Sequence, residues 1–67
     1  MNLTVNGKAS EAPAGSTVDD VVRQLAPDTD RGLAVAVNSE VVPRYRWPVT
    51  PLRDGDAIEI LTAVQGG

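Results

Sequence analysis

The chain has 67 residues, nine acidic against six basic, giving a formal net charge of −3 and a pI near 4.5, with neither cysteine nor histidine. That excludes a disulfide framework, a Cys/His metal centre, thiol nucleophiles and imidazole bases, and it argues against a surface built to neutralise nucleic-acid phosphates. A chain this short buries only about 60% of its unfolded surface, so a single domain with one thin core is expected over residues 1–67. The opening MNLTVNG has neither the basic flank nor the long apolar region of a signal peptide, and no apolar run approaches the roughly 20 residues that span a bilayer. A cytoplasmic protein with no membrane and no nucleic-acid partner is expected.

In chain order, NLTVN alternates, which puts Leu3 and Val5 on one face of a strand and Asn2, Thr4 and Asn6 on the other. Asn6-Gly7 tolerates the positive φ of a type I′ hairpin turn, so a second strand should cover about Lys8 to Ala12 and end near Pro13-Ala14-Gly15. GSTVDDVVRQLAP reads as a helix. Ser16 or Thr17 can cap it, each with an aspartate three residues on, Asp19 or Asp20. Val18, Val21, Val22 and Leu25 form one apolar stripe, and Pro27 stops the helix. Three β-branched residues weaken so short a helix, so packing of that stripe on a sheet must hold it.

After the polar connection APDTDRG, LAVAVN is a nearly all-apolar strand, central in the sheet or covered on both faces. Asn38-Ser39 marks a turn and EVVP a brief strand ended by Pro43; RYRWPVTP is irregular or a single 3₁₀ turn. LRDGD turns on Asp54-Gly55. AIEILTAV is a last strand with Ile58 and Ile60 on one face and Glu59 and Leu61 on the other. The order ββαβ(β)β predicts an α+β fold: a mixed four- to five-stranded sheet, one helix across one face, and the first and last strands adjacent at the centre. This is the β-grasp arrangement.

Conventional catalytic groups are poorly represented. Asp54 and Asp56 flank a turn glycine and Asp19-Asp20 sit at a helix start, which are structural roles for carboxylates. The run Asp28-Thr29-Asp30 opens like a calcium loop but lacks its later glycine and closing glutamate. PRYRWP concentrates Arg44, Tyr45, Arg46 and Trp47: Trp47 can plug one end of a core otherwise without aromatics, while Arg44 and Arg46 either stay solvated or form a partner-binding rim. If Ile58 and Ile60 face the helix, the pleat sends Leu61 to the opposite face, where with Val64 it makes a docking patch.

The chain closes on LTAVQGG, with residues 65–67 expected as a flexible tail. Two glycines without β-carbons let an extended tail enter a narrow cleft and leave the terminal carboxylate unhindered. A carboxylate resists nucleophiles until one oxygen becomes a good leaving group, as in an acyl-adenylate made with ATP. A sulfur donor can then displace AMP and leave a thiocarboxylate. The sequence has no phosphate-binding loop of its own, so a partner enzyme must supply that activation.

Three stretches, TVDDVVRQL, AVAVNSEVVPRYRW and LRDGDAIEILTAVQGG, cover well over half the chain and resemble the ThiS family. These are sulfur carriers of thiamine thiazole biosynthesis within the ubiquitin-like β-grasp proteins. The resemblance implies a protein cosubstrate rather than an enzyme, with no bound cofactor. A ThiF-type adenylyltransferase would use ATP on the Gly67 carboxylate, and sulfur from a donor such as a cysteine desulfurase would make it a thiocarboxylate, a 1-thioglycine. Thiazole synthase, ThiG, would accept that sulfur. Gly67 is then the reacting residue and Gly66 its flexible approach, with Leu61, Val64 and Gln65 beside them on a partner surface and Arg44 and Arg46 at its rim. Two related readings share the diglycine chemistry: the small subunit of molybdopterin synthase, usually richer in aromatics, and a ubiquitin-like modifier conjugated to lysines. A third is a pure interaction domain in which the tail is dispensable.

Overall fold

Alternating residues and an Asn-Gly pair produce the first hairpin. The computed structural model describes residues 1–25 and 32–62. Strands β1 (Asn2–Val5) and β2 (Lys8–Glu11) pair antiparallel with Val5 opposite Lys8, leaving Asn6 and Gly7 as the loop at φ 52° and 82°. Both values are left-handed, as a type I′ turn requires. Past β2 the Ala12 amide still donates to the Met1 carbonyl at 3.1 Å, so the ladder reaches the predicted end of the strand.

Helix α1 (Val18–Leu25) begins at a reciprocal cap that selects between the two candidates. The Asp20 amide donates to Thr17 Oγ1 at 3.3 Å, and the Thr17 amide donates to Asp20 Oδ2 at 2.9 Å. This is a capping box with aspartate in the glutamate's place. Ser16 turns away instead, its hydroxyl donating to the Pro13 carbonyl at 2.7 Å. Val18, Val21 and Val22 are buried as the stripe predicts, but Leu25 is 48% exposed. It is the last residue of a helix only about 12 Å long. Pro27 and the Asp28-Thr29-Asp30 run lie outside the described residues.

The apolar run after residue 32 forms β3 (Leu33–Val37), which returns through Asn38 and Ser39, at φ 52° and 70°, into β4 (Glu40–Val42). The final strand is β5 (Ala57–Thr62). Sheet order is β2-β1-β5-β3-β4, with β5 parallel to β1 and antiparallel to β3, so the sheet has five strands, is mixed, and has the last strand at its centre. β3 is interior to the sheet but covered on one face only: Val35 is buried while Ala34 is exposed. Its apolar sequence therefore reflects small alanines on an open face rather than burial on both.

Between β4 and β5, Arg44–Val49 forms a 3₁₀ helix that carries Trp47 into the core, 2% exposed, with its indole N–H donating to the Val42 carbonyl at 2.9 Å. A short backbone pairing ties this segment to the helix start: the Val18 amide donates to the Thr50 carbonyl at 3.0 Å and the Leu52 amide to the Ser16 carbonyl at 2.9 Å. The core joins Leu3, Val35 and Ile58 of the sheet to the three valines of α1, closed by Trp47 and by Ala12 and Leu52 from the connections. No helix among the described residues is long and apolar enough to cross a membrane.

Candidate functional site

The four described aspartates are each engaged in holding the fold. Asp54 Oδ1 accepts the Asn2 amide at 2.6 Å, and Asp56 Oδ2 accepts the Arg53 amide at 2.8 Å. Asp19 pairs with Arg23 at 3.2 Å, one turn along α1, and Asp20 caps the helix. Asp56 and Asp20 have the turn and capping tasks their positions predict, whereas Asp54 reaches across to the first strand and Asp19 pairs with Arg23 in place of capping. Chemical interest therefore moves to β5, the strand that leads into the closing LTAVQGG.

β5 is held along both sides. On the β1 side the Thr4 amide donates to the Asp56 carbonyl at 3.0 Å and the Asn6 amide to the Ile58 carbonyl at 2.8 Å. On the β3 side the register runs from Val37 opposite Ile58 to Leu33 opposite Thr62. Two turn asparagines add side-chain bonds. Asn38 Oδ1 accepts the Ala57 amide at 3.0 Å, while its Nδ2 donates to Asp56 Oδ1 at 3.0 Å. Asn6 Oδ1 accepts the Ile60 amide at 2.8 Å and its Nδ2 donates to the Ile60 carbonyl at 3.2 Å. Sequence reading placed both asparagines only as turn formers. The overlooked signal was that a turn asparagine also brings a free carboxamide to the next strand.

The outer face of the sheet, away from α1, carries two of the exposed large apolar groups, Leu61 and Val41; Tyr45 and Val49 are exposed on the 3₁₀ helix. Leu61 is 66% exposed, as the pleat predicts, and lies opposite Ala34. One row along, Glu59 faces Ala36, which in turn faces Val41, 72% exposed. Ala34, Ala36 and Val41 were missed as part of this face; the two-residue turn at Asn38-Ser39 fixes Ala36 opposite Val41, but the β3–β5 register that sets Ala34 opposite Leu61 has no such local signal. Arg44 and Arg46 are not gathered around Leu61. Both lie on the 3₁₀ helix, where the Arg44 guanidinium sits 5.5 Å from the centre of the Trp47 ring. Arg46 lines an open cleft of about 560 Å³ with Glu40 and Val41, so it meets the outer face only at the β4 edge.

Val64, Gln65, Gly66 and Gly67 lie outside the described residues. The described part of the site thus offers a pinned strand and an apolar face beside it. Such an arrangement can present a chain end to another protein.

Residues 3–67 match the profile of the ThiS family. The chain is 34% identical over 67 residues to the sulfur carrier protein ThiS of Escherichia coli, covering 100% of both chains. It is also 34% identical over all 67 residues to a thiazole synthase of Paramagnetospirillum magneticum, of which it spans 20%. Among solved structures, the crystal structure of the thiamine biosynthesis protein ThiS from Geobacter metallireducens superposes with a TM-score of 0.85 at 36% identity, covering 100% of each chain.

Proposed function

The chain belongs to the ThiS family, the sulfur carriers of thiamine biosynthesis, and from that premise we propose that Gly67 is its reacting residue. In this reading the Gly67 carboxylate attacks the α-phosphorus of ATP in a ThiF-type adenylyltransferase, releasing pyrophosphate. Hydrosulfide then attacks the acyl carbon; where a cysteine desulfurase is the source, its persulfide sulfur is brought to the sulfide level by two electrons from a thiol reductant. AMP leaves with the electron pair of the broken carbon–oxygen bond, and the thiocarboxylate loses its proton to solvent. The carrier contributes no acid, base or metal. It contributes an unhindered acyl group on a tail whose glycines, Gly66 and Gly67, carry no side chain to obstruct a narrow active site.

The observation that carries this reading is the end-to-end match with the Escherichia coli carrier, which includes the tail. A thiazole synthase with a ThiS-like fifth of its length supports thiazole synthase, ThiG, as the acceptor. In this reading Leu61, Ala34 and Val41 form the described part of the docking face with Arg46 at the β4 edge, and Val64, Gln65 and Arg44 are assigned to it from the sequence alone. Consumption of ATP and desulfurase-derived sulfur places the work in the cytoplasm.

The test is ATP–pyrophosphate exchange by the adenylyltransferase with the intact chain and with a chain lacking Gly66-Gly67. Exchange is expected only with the intact chain, at unchanged melting temperature. Equal exchange by the truncated chain contradicts the assignment.

A further inference from the structure

Along the parallel side of β5 the carbonyls of Asp56 and Ile58 accept amides from Thr4 and Asn6 at 3.0 and 2.8 Å. The pleat presents every second residue of β5 to that side, so Ile60 comes next, with both its N–H and its C=O directed there. But β1 has ended at Val5, and the chain is already turning into β2. The Asn6 carboxamide fills the vacancy, accepting from the Ile60 amide at 2.8 Å and donating to its carbonyl at 3.2 Å. A primary amide offers the same donor and acceptor as a peptide unit, so one side chain stands in for the missing strand residue. Glycine would hold the turn without the amide; aspartate would accept but not donate.

We infer that Asn6 is a positioning residue for the reacting carboxylate. It completes the β1 side of β5 at Ile60, so the segment that leads to Gly67 departs from a strand braced on both sides. Without it, β5 beyond Ile58 is held from β3 alone. This role rests on the assignment of Gly67 as the adenylated residue. It separates docking from delivery: Asn6 lies in the ladder, not on the outer face, so its loss leaves the docking groups in place and misdirects the tail. Misplacing a reacting group lowers the productive fraction of bound complexes, which appears in kcat. A variant that was merely less folded would act as a lower carrier concentration and raise the apparent KM instead.

The experiment compares the wild-type chain with Asn6→Gly and Asn6→Asp by amide hydrogen exchange and by steady-state adenylation with the ThiF-type enzyme. In Asn6→Gly the Ile60 amide should exchange about tenfold faster relative to the core amide of Val21, the loss expected for removing one or two net hydrogen bonds. Its kcat should fall about tenfold with KM within about twofold of wild type, and Asn6→Asp should lie between the two. A proportional change at Ile60 and Val21, or a rise in KM with kcat unaltered, overturns the positioning role. A wild-type chain that an active adenylyltransferase never adenylates removes the assignment of Gly67, and the positioning role with it, whatever the exchange pattern.

Discussion

Trp47 is the only aromatic side chain in the core, carried there by the 3₁₀ helix. A domain of this length has roughly 3–10 kcal/mol of stability, and truncating a buried tryptophan costs about 3–5 kcal/mol. Trp47→Ala is therefore expected to lose about 3–5 kcal/mol, a third or more of its stability, measured by far-UV circular dichroism in a urea titration. Trp47→Phe keeps most of the volume but leaves the Val42 carbonyl without its indole donor, and should stay folded at a cost of about 1–2 kcal/mol. Arg44 over the ring adds an exposed cation–π contact of about 0.5–1 kcal/mol. The role of Trp47 as a plug was legible in the sequence because no other residue could fill that volume. The second task of Asn6 was not: the first and last strands were expected side by side, but the register that brings Ile60 level with Asn6 is not specified by local pattern.

At the scale of elements, the cap decides how α1 starts. Thr17→Ala removes the hydroxyl that accepts the Asp20 amide and should cost about 1 kcal/mol in thermal denaturation, with Thr17→Ser near wild type. Ser16 and Thr17 were equivalent by spacing. The tertiary pairing of Ser16 with Leu52 separated them, because it fixes the Ser16 backbone outside the helix. Leu25 fitted the helical period yet lies largely exposed, since periodicity reports a face but not how far along it the sheet extends. On β5 the same logic worked without correction: alternation put Leu61 on the open face, and there it stands. Leu61→Lys should change stability by less than about 0.5 kcal/mol. In the adenylation or sulfur-transfer assay it should raise KM by about tenfold or more, as loss of a buried interface anchor does. An unchanged KM in both assays would take the outer face out of the docking surface.

At the scale of the whole molecule, the fold is a frame for one strand. β5, last in sequence, is central in the sheet, braced by β1 on one side and β3 on the other, and the closing LTAVQGG begins on it. Element order and the mixed sheet were legible because turn residues punctuate the chain and the apolar period changes from two to nearly four between them. The surroundings of Leu61 on the outer face were not, since Ala34 and Ala36 on β3 and Val41 on β4 come level with β5 only through strand register. The diglycine was legible for a different reason: its chemistry is independent of the fold, and only its use requires one.

That use has a direct reading in intact mass. The purified chain is incubated with the ThiF-type adenylyltransferase, ATP and sulfide, then weighed whole and after proteolysis. The account predicts a gain equal to replacement of one oxygen by sulfur, located on the peptide ending in Gly67 and absent without ATP. A mass that never changes, while the same adenylyltransferase converts another diglycine carrier, or sulfur found anywhere but Gly67, would contradict it.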